Sequence, residues 1–171
     1  MSELIHVTTV LAEAGLIDTA WFTEHAREKG SAVHLATQFL DEGDLNWSTV
    51  EPDVLARVRQ YQKFLDEVKP EILAVEESVR NEALQYQGQL DRRVRINGRE
   101  GIIDIKGPCE SAWNGAQLAA YASCFLRPLA RWNLYLHDDR YRLIERKDRK
   151  DWELFKAALV IAAWRRDGHG H

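Results

Sequence analysis

Apolar and polar positions alternate most regularly between residues 87 and 107, where two runs rich in Val, Ile and Leu flank Asn97-Gly98. Asn-Gly tolerates the positive φ of a two-residue type I′ turn, so the pattern predicts a β-hairpin. With Asn97 and Gly98 as the loop, Ile96 faces Arg99, Asp91 falls directly opposite Asp104, and Gln89 falls opposite Lys106. Strict alternation then puts Asp91, Asp104 and Lys106 on one face, and Leu90, Ile103 and Ile105 on the other.

The remaining periodicities place elements around this hairpin. Residues 7–17 read as a short helix capped by Thr8 or Thr9 and closed near Gly15, followed by a loop or turn carrying Trp21 and Phe22. Ser31 reads as the cap of a second helix through Leu40, with Val33, Ala36, Phe39 and Leu40 inward. After a polar loop at 41–50, Pro52 starts a helix that ends at Lys69-Pro70, with Val54, Leu55, Val58, Tyr61, Leu65 and Val68 at helical spacing. Residues 71–79 and 83–87 read as extended and lead into the hairpin. A helix over 112–126 follows, with Gln117 and Tyr121 one turn apart on one side. A strand pair, 131–137 and 140–145, turns at Asp138-Asp139. A last helix over 148–166 buries Trp152, Phe155, Leu159 and Trp164 and leaves a frayed tail at 168–171. The order predicts an α/β fold: a central mixed β-sheet with helices on both faces.

Composition narrows the class. At 171 residues, 45% hydrophobic and 29% charged, the chain suits one soluble domain with a substantial core. No apolar run is long enough to span a bilayer, and no signal-like segment opens the chain. Cys109 and Cys124 are too few for a disulfide framework or a four-thiolate cluster, which points to a reducing, cytoplasmic setting. The net charge of −4 divides unevenly. Residues 1–85 hold 7 Lys and Arg against 16 Asp and Glu, whereas residues 86–171 hold 16 against 11. The basic excess begins with the hairpin arginines 92, 93, 95 and 99, and such a surface can bind phosphates even on an acidic protein.

Two carboxylates facing each other across a strand pair repel. A divalent cation between Asp91 and Asp104, with Lys106 beside it, would offset that repulsion. The residues alone leave this reading level with a solvated acidic face, since a bulge would shift the register by one and separate the pair. His34, in the first turn of its predicted helix near the apolar stripe, reads by itself as a boundary histidine.

Three patterns nevertheless occur in order: Gly30-x-x-x-His34, then Gly88-x-x-Asp91 with Asp104-x-Lys106, then Gln117-x-x-x-Tyr121. Together they resemble the PD-(D/E)xK nuclease superfamily, in the branch of RecB-like nuclease domains and phage recombination exonucleases. The resemblance covers residues 30–145 and implies a single domain with a restriction-endonuclease-like sheet. It assigns His34, Asp91, Asp104 and the Ile105 carbonyl as metal ligands, with Glu76 on the preceding strand toward a second metal or its water. Lys106 would hold and help deprotonate the attacking water, while Gln117 and Tyr121 would arrange the site and the DNA strand. Arg27 and Lys29 would meet a terminal phosphate, and Arg93 belongs to the basic half that would hold the DNA backbone. Asp104 stands where the superfamily more often has Glu, one methylene longer. The cysteines that hold an iron–sulfur cluster in several relatives are missing, and no Walker motif occurs.

The resemblance therefore implies a Mg²⁺- or Mn²⁺-dependent deoxyribonuclease without an iron–sulfur cluster, an exonuclease on single- or double-stranded DNA ends in recombination or repair. The alternative is a non-catalytic DNA-binding or assembly subunit that retains the fold. A homo-oligomer or a recombination partner protein is left open as further company, and no membrane is expected.

Overall fold

Residues 4–17 and 23–169 are described by the computed structural model, so the expectations for Trp21, Phe22, Gly170 and His171 lie outside the described residues. The chain runs β1 (Ile5–His6), α1 (Val7–Glu13), α2 (Glu24–Glu42), α3 (Pro52–Val68), β2 (Glu71–Asn81), β3 (Tyr86–Ile96) and β4 (Arg99–Lys106). It continues through α4 (Trp113–Ala122), β5 (Ala130–Leu136), β6 (Tyr141–Glu145) and α5 (Lys150–Trp164). Among the described residues all six strands form one mixed sheet in which β3 borders β1, β2 and β4, and β4 leads on to β5 and β6. β4 and β5 are parallel, so the chain must cross over between them, and α4 is that crossover. Helices cover both faces: α1, α4 and α5 enclose one apolar cluster, α2 and α3 the other. This is the central mixed sheet with helices on both faces expected from the sequence.

The Asn97-Gly98 turn forms as its chemistry requires, with φ of 48° and 78°. The expected register holds from Ile96↔Arg99 to Arg92↔Ile103 and stops there. At that point β3 changes face. Tyr86 and Leu90 pack in the α1–α4–α5 cluster, yet Val94 and Ile96, of the same parity, pack in the α2–α3 cluster. A regularly alternating strand would keep all four together. Leu90 accordingly does not lie beside Ile103 and Ile105, contrary to the alternation read from the sequence. The neighbouring strand is irregular at the same level: Glu76, between the pairs Val75↔Arg92 and Glu77↔Leu90, has φ of 49°.

Other expectations need correction. Ser31 lies inside α2; the cap is Thr23, whose hydroxyl accepts from the Ala26 N–H, so Gly30 is a tolerated helical glycine rather than a boundary. Phe39 is exposed, because α2 meets the sheet through Val33, Ala36 and Thr37. Residues 83–85 form the turn into β3, with Gln85 at φ of 58°. α4 ends at Ala122 rather than near Leu126, and its residues 114–121 are buried on every side rather than along one apolar stripe. On α5 Phe155, Ala158 and Ala162 are buried, and the expected Trp152 and Leu159 are half-buried against the same cluster; Trp164 falls off that stripe and is more than half exposed.

Candidate active site

The irregular level of β2 and β3 opens into a cleft of about 340 Å³ at the carboxyl end of β4. His34 from α2 lines it together with Glu76, Asp91, Asp104 and Lys106 from the strands, and Gln117 and Tyr121 from α4. The three sequence patterns therefore converge on one place. His6 and Thr8, at the start of α1, complete the rim.

One wall of the cleft is an acidic-imidazole cluster. Ligand-capable atoms of His34, Glu76 and Asp91 all lie within 4.8 Å of one another. His34 Nδ1 stands 3.6 Å from Asp91 Oδ1. Burial pushes the His34 pKa down, which keeps the ring neutral and its lone pair available. Burial pushes both carboxyls up; Lys106 pulls Asp91 back, and Arg92 pulls Glu76 back against the added repulsion of Asp91. Asp91 Oδ2 accepts the Ile105 N–H at 2.5 Å, so the side chain takes over where the ladder ends. Glu76 takes a hydrogen bond from Arg92 Nη1 at 3.1 Å. A left-handed backbone at a non-glycine residue is costly, and such strain gathers at functional sites.

Opposite it runs a chain of polar contacts. Lys106 Nζ donates to Gln117 Oε1 at 2.9 Å and lies 3.0 Å from Asp104 Oδ1. Gln117 Nε2 donates to the Tyr121 hydroxyl at 3.0 Å. Lysine can only donate, so the Gln117 amide is fixed with its oxygen toward Lys106. The Gln-x-x-x-Tyr spacing thus has a mechanical reason: one helical turn hands the amide from the lysine to the phenol. Lys106 also sits 4.9 Å from the Trp113 ring, a cation–π contact. Asp104 is buried, and burial pushes its pKa up to about 6, Lys106 opposing and Asp91 adding to the rise. The ladder pairing of Asp91 with Asp104 read from the register does not form, although both carboxylates line the same cleft. Among the described residues, Asp104 stands outside the close His34–Glu76–Asp91 group, and its Oδ2 accepts from Asn133 Nδ2 at 2.8 Å.

Some expected residues stay apart. Arg27 and Lys29 lie on the first turns of α2 away from the cleft, and neither has an ion pair among the described residues. Arg93 is engaged by Glu77 at 2.7 Å and Glu100 at 3.1 Å. Ile105, expected to offer only its backbone carbonyl, sends its side chain into the α2–α3 core from the strand between Asp104 and Lys106 of the cleft. Much of the basic half is likewise paired: Arg95 with Glu71, Arg99 with Glu145, Arg131 with Asp151, Arg146 with Glu110. The sequence reading also missed Arg92 with Asp41, and Asn133 with Arg146. A signal existed for Asn133, a lone amide inside the apolar run of β5.

No protein-family model matches the chain, and no curated protein matches it. Among solved structures, the crystal structure of SSO0001 aligns with 96% of this chain and 75% of its own, at 14% identity and a TM-score of 0.44. An alkaline exonuclease from Laribacter hongkongensis, LHK-Exo, aligns with 96% of this chain and 93% of its own, at 13% identity and a TM-score of 0.39. Likenesses of this size leave the function to be argued from the cleft itself. No helix among the described residues is long and apolar enough to cross a membrane.

Proposed function

We propose that this chain is a divalent-metal-dependent nuclease that hydrolyses phosphodiester bonds of DNA, working from ends in recombination or repair. The observation that carries the reading is the crowding of His34, Glu76 and Asp91 within 4.8 Å, in the cleft that also holds Lys106 between Asp104 and Gln117. Two half-buried carboxylates beside a neutral imidazole, offset among the described residues by the Arg92 and Lys106 charges, make a donor set suited to a cation. Oxygen donors suit Mg²⁺ or Mn²⁺, and the imidazole makes Mn²⁺ especially acceptable.

His34, Asp91 and Glu76 would hold the ion, with Asp104 and the Ile105 carbonyl completing the protein's share. When bound, the ion supplies concentrated positive charge that stabilises the phosphoryl group under attack. Every other part falls to the chain's own residues. Lys106 has three N–H donors, two of them committed to Asp104 and Gln117; the third is free for the attacking water or a phosphoryl oxygen. Its positive charge favours the hydroxide form of that water. Tyr121, having accepted from Gln117, retains its own O–H to donate to the strand. Arg27 and Lys29 offer phosphate contacts beyond the cleft, whereas Arg93 would have to exchange a glutamate for a phosphate.

The test uses end-labelled linear DNA and closed circular DNA, each with Mg²⁺, Mn²⁺ or chelator. Linear DNA is degraded with either metal, chelator stops the reaction, and circles survive. Lys106→Ala and Asp104→Asn each lower the rate by about 10²-fold or more while the protein stays folded. Undiminished cleavage by purified Lys106→Ala protein overturns the reading, and DNA binding without product in any metal marks a binding subunit instead.

A further inference from the structure

Asp104 is tied, on the side away from Lys106, to a hydrogen-bond chain that leaves the cleft through the sheet. Parallel register sets Asn133 of β5 beside Asp104 of β4, and Asn133 is wholly buried. Its Nδ2 donates to Asp104 Oδ2 at 2.8 Å, and its Oδ1 accepts from Arg146 Nε at 2.8 Å. Arg146 follows the last residue of β6 and is itself held at several points. Its Nη2 reaches the Tyr135 hydroxyl at 2.7 Å and Glu110 Oε1 at 2.8 Å, and its backbone N–H donates to the Arg131 carbonyl at 2.7 Å. The Tyr135 hydroxyl also accepts from buried Asn114 at 2.8 Å.

We propose that Asn133 and Arg146 are positioning residues for the nuclease reaction: Asn133 sets the rotation of the Asp104 carboxylate, and Arg146 sets Asn133. The inference rests on the reading of Asp104 as a working carboxylate of that site. A carboxylate torsion is broad and roughly two-fold, so burial alone does not choose which oxygen faces Lys106. Asn133 makes the choice by donating to Oδ2, which leaves Oδ1 for Lys106. An asparagine amide can turn over and present its oxygen instead, which would repel the carboxylate. Arginine is a donor without an acceptor, so Arg146 forbids that flip. Three residues remote from one another in sequence thus transmit one orientation from the β6 end to the lysine.

Asn133→Ala, Arg146→Ala and the double variant are compared for kcat and KM on linear DNA, for Mn²⁺ affinity by electron paramagnetic resonance, and for folding by circular dichroism. Asn133→Ala is expected to lower kcat and Mn²⁺ affinity by about 10–100-fold, the usual effect of losing a partner that orients a ligand, with KM within about twofold. Arg146→Ala gives a smaller loss alone and none on top of Asn133→Ala, because it acts through that amide. Arg146→Lys, which retains a donor, recovers part of the loss. A folded Asn133→Ala protein with unchanged kcat and Mn²⁺ affinity, or additive losses in the double variant, overturns the proposal. If Asn133→Ala does not fold, Arg146→Ala decides: unchanged kcat and Mn²⁺ affinity overturn it. A wild-type protein that cleaves no DNA sinks the nuclease reading alone, since the Mn²⁺ affinities still decide whether the chain orients Asp104.

Discussion

Arg92 follows the candidate ligand Asp91 by one residue, and its guanidinium is fully buried between Asp41, Glu76 and the Thr37 hydroxyl. Asp41 is equally enclosed and also accepts from the Tyr61 hydroxyl at 2.9 Å. One arginine therefore balances a structural carboxylate on α2 and, at the same time, the strained Glu76 of the cleft. Removing one member of a buried pair strands the other, so Arg92→Ala should lower stability by about 3–5 kcal/mol in chemical denaturation. Arg95→Ala, which breaks a solvent-exposed pair with Glu71, should cost about 1 kcal/mol or less. Equal losses in the two variants would contradict the assignment of Arg92 to the interior. In the sequence Arg92 was one cation in a basic run, and nothing within a few residues of it tells a buried arginine from a solvated one.

At the scale of elements, β3 and α4 meet where Gly88 faces Tyr121. A Cβ at position 88 would come within 2.5 Å of the Tyr121 ring, so the glycine of Gly88-x-x-Asp91 is the space that lets Gln117-x-x-x-Tyr121 dock. Two sequence patterns are in this sense one contact. Gly88→Ala must displace Tyr121, and with it the Gln117 amide that holds Lys106. Overpacking of this kind typically costs about 1–3 kcal/mol. Thermal melting should fall accordingly, and DNA cleavage should fall further than the stability loss explains; wild-type cleavage by the folded variant would show that the docking is immaterial. The Gln117–Tyr121 spacing was legible because one helical turn relates the two residues. The burial of α4 on every side was not, because it depends on α1 and α5, distant in sequence.

For the molecule as a whole, the cleft stores electrostatic cost in the absence of a cation. Burial raises the pKa values of Glu76, Asp91 and Asp104, the last to about 6. A carboxyl whose folded pKa lies above its ordinary value near 4 favours the folded state fully below that value, and the favour is lost as pH rises through the folded pKa. The metal-free protein should therefore lose stability between about pH 4 and pH 6 from Asp104. The same deprotonation frees the carboxylate for a cation, so Mn²⁺ should raise the melting temperature strongly at pH 7.5 and little at pH 5. At a hundredfold excess over its dissociation constant the ion adds about 2.7 kcal/mol. Melting curves with Mn²⁺ and with chelator at the two pH values check this, and an equal shift at both would count against a carboxylate-held cation.

What the sequence determined by itself is local. The Asn97-Gly98 turn, the bounds of the Pro52–Val68 helix and the one-turn spacing of Gln117 and Tyr121 follow from residues only a few positions apart. The change of face in β3, the left-handed Glu76, the enclosure of Arg92 and the pairing of Asn133 with Asp104 were decided by the tertiary structure. Each of these is set by segments that meet only once the sheet and its two helical layers are assembled, and backbone strain and buried charge persist only where such long-range contacts hold them.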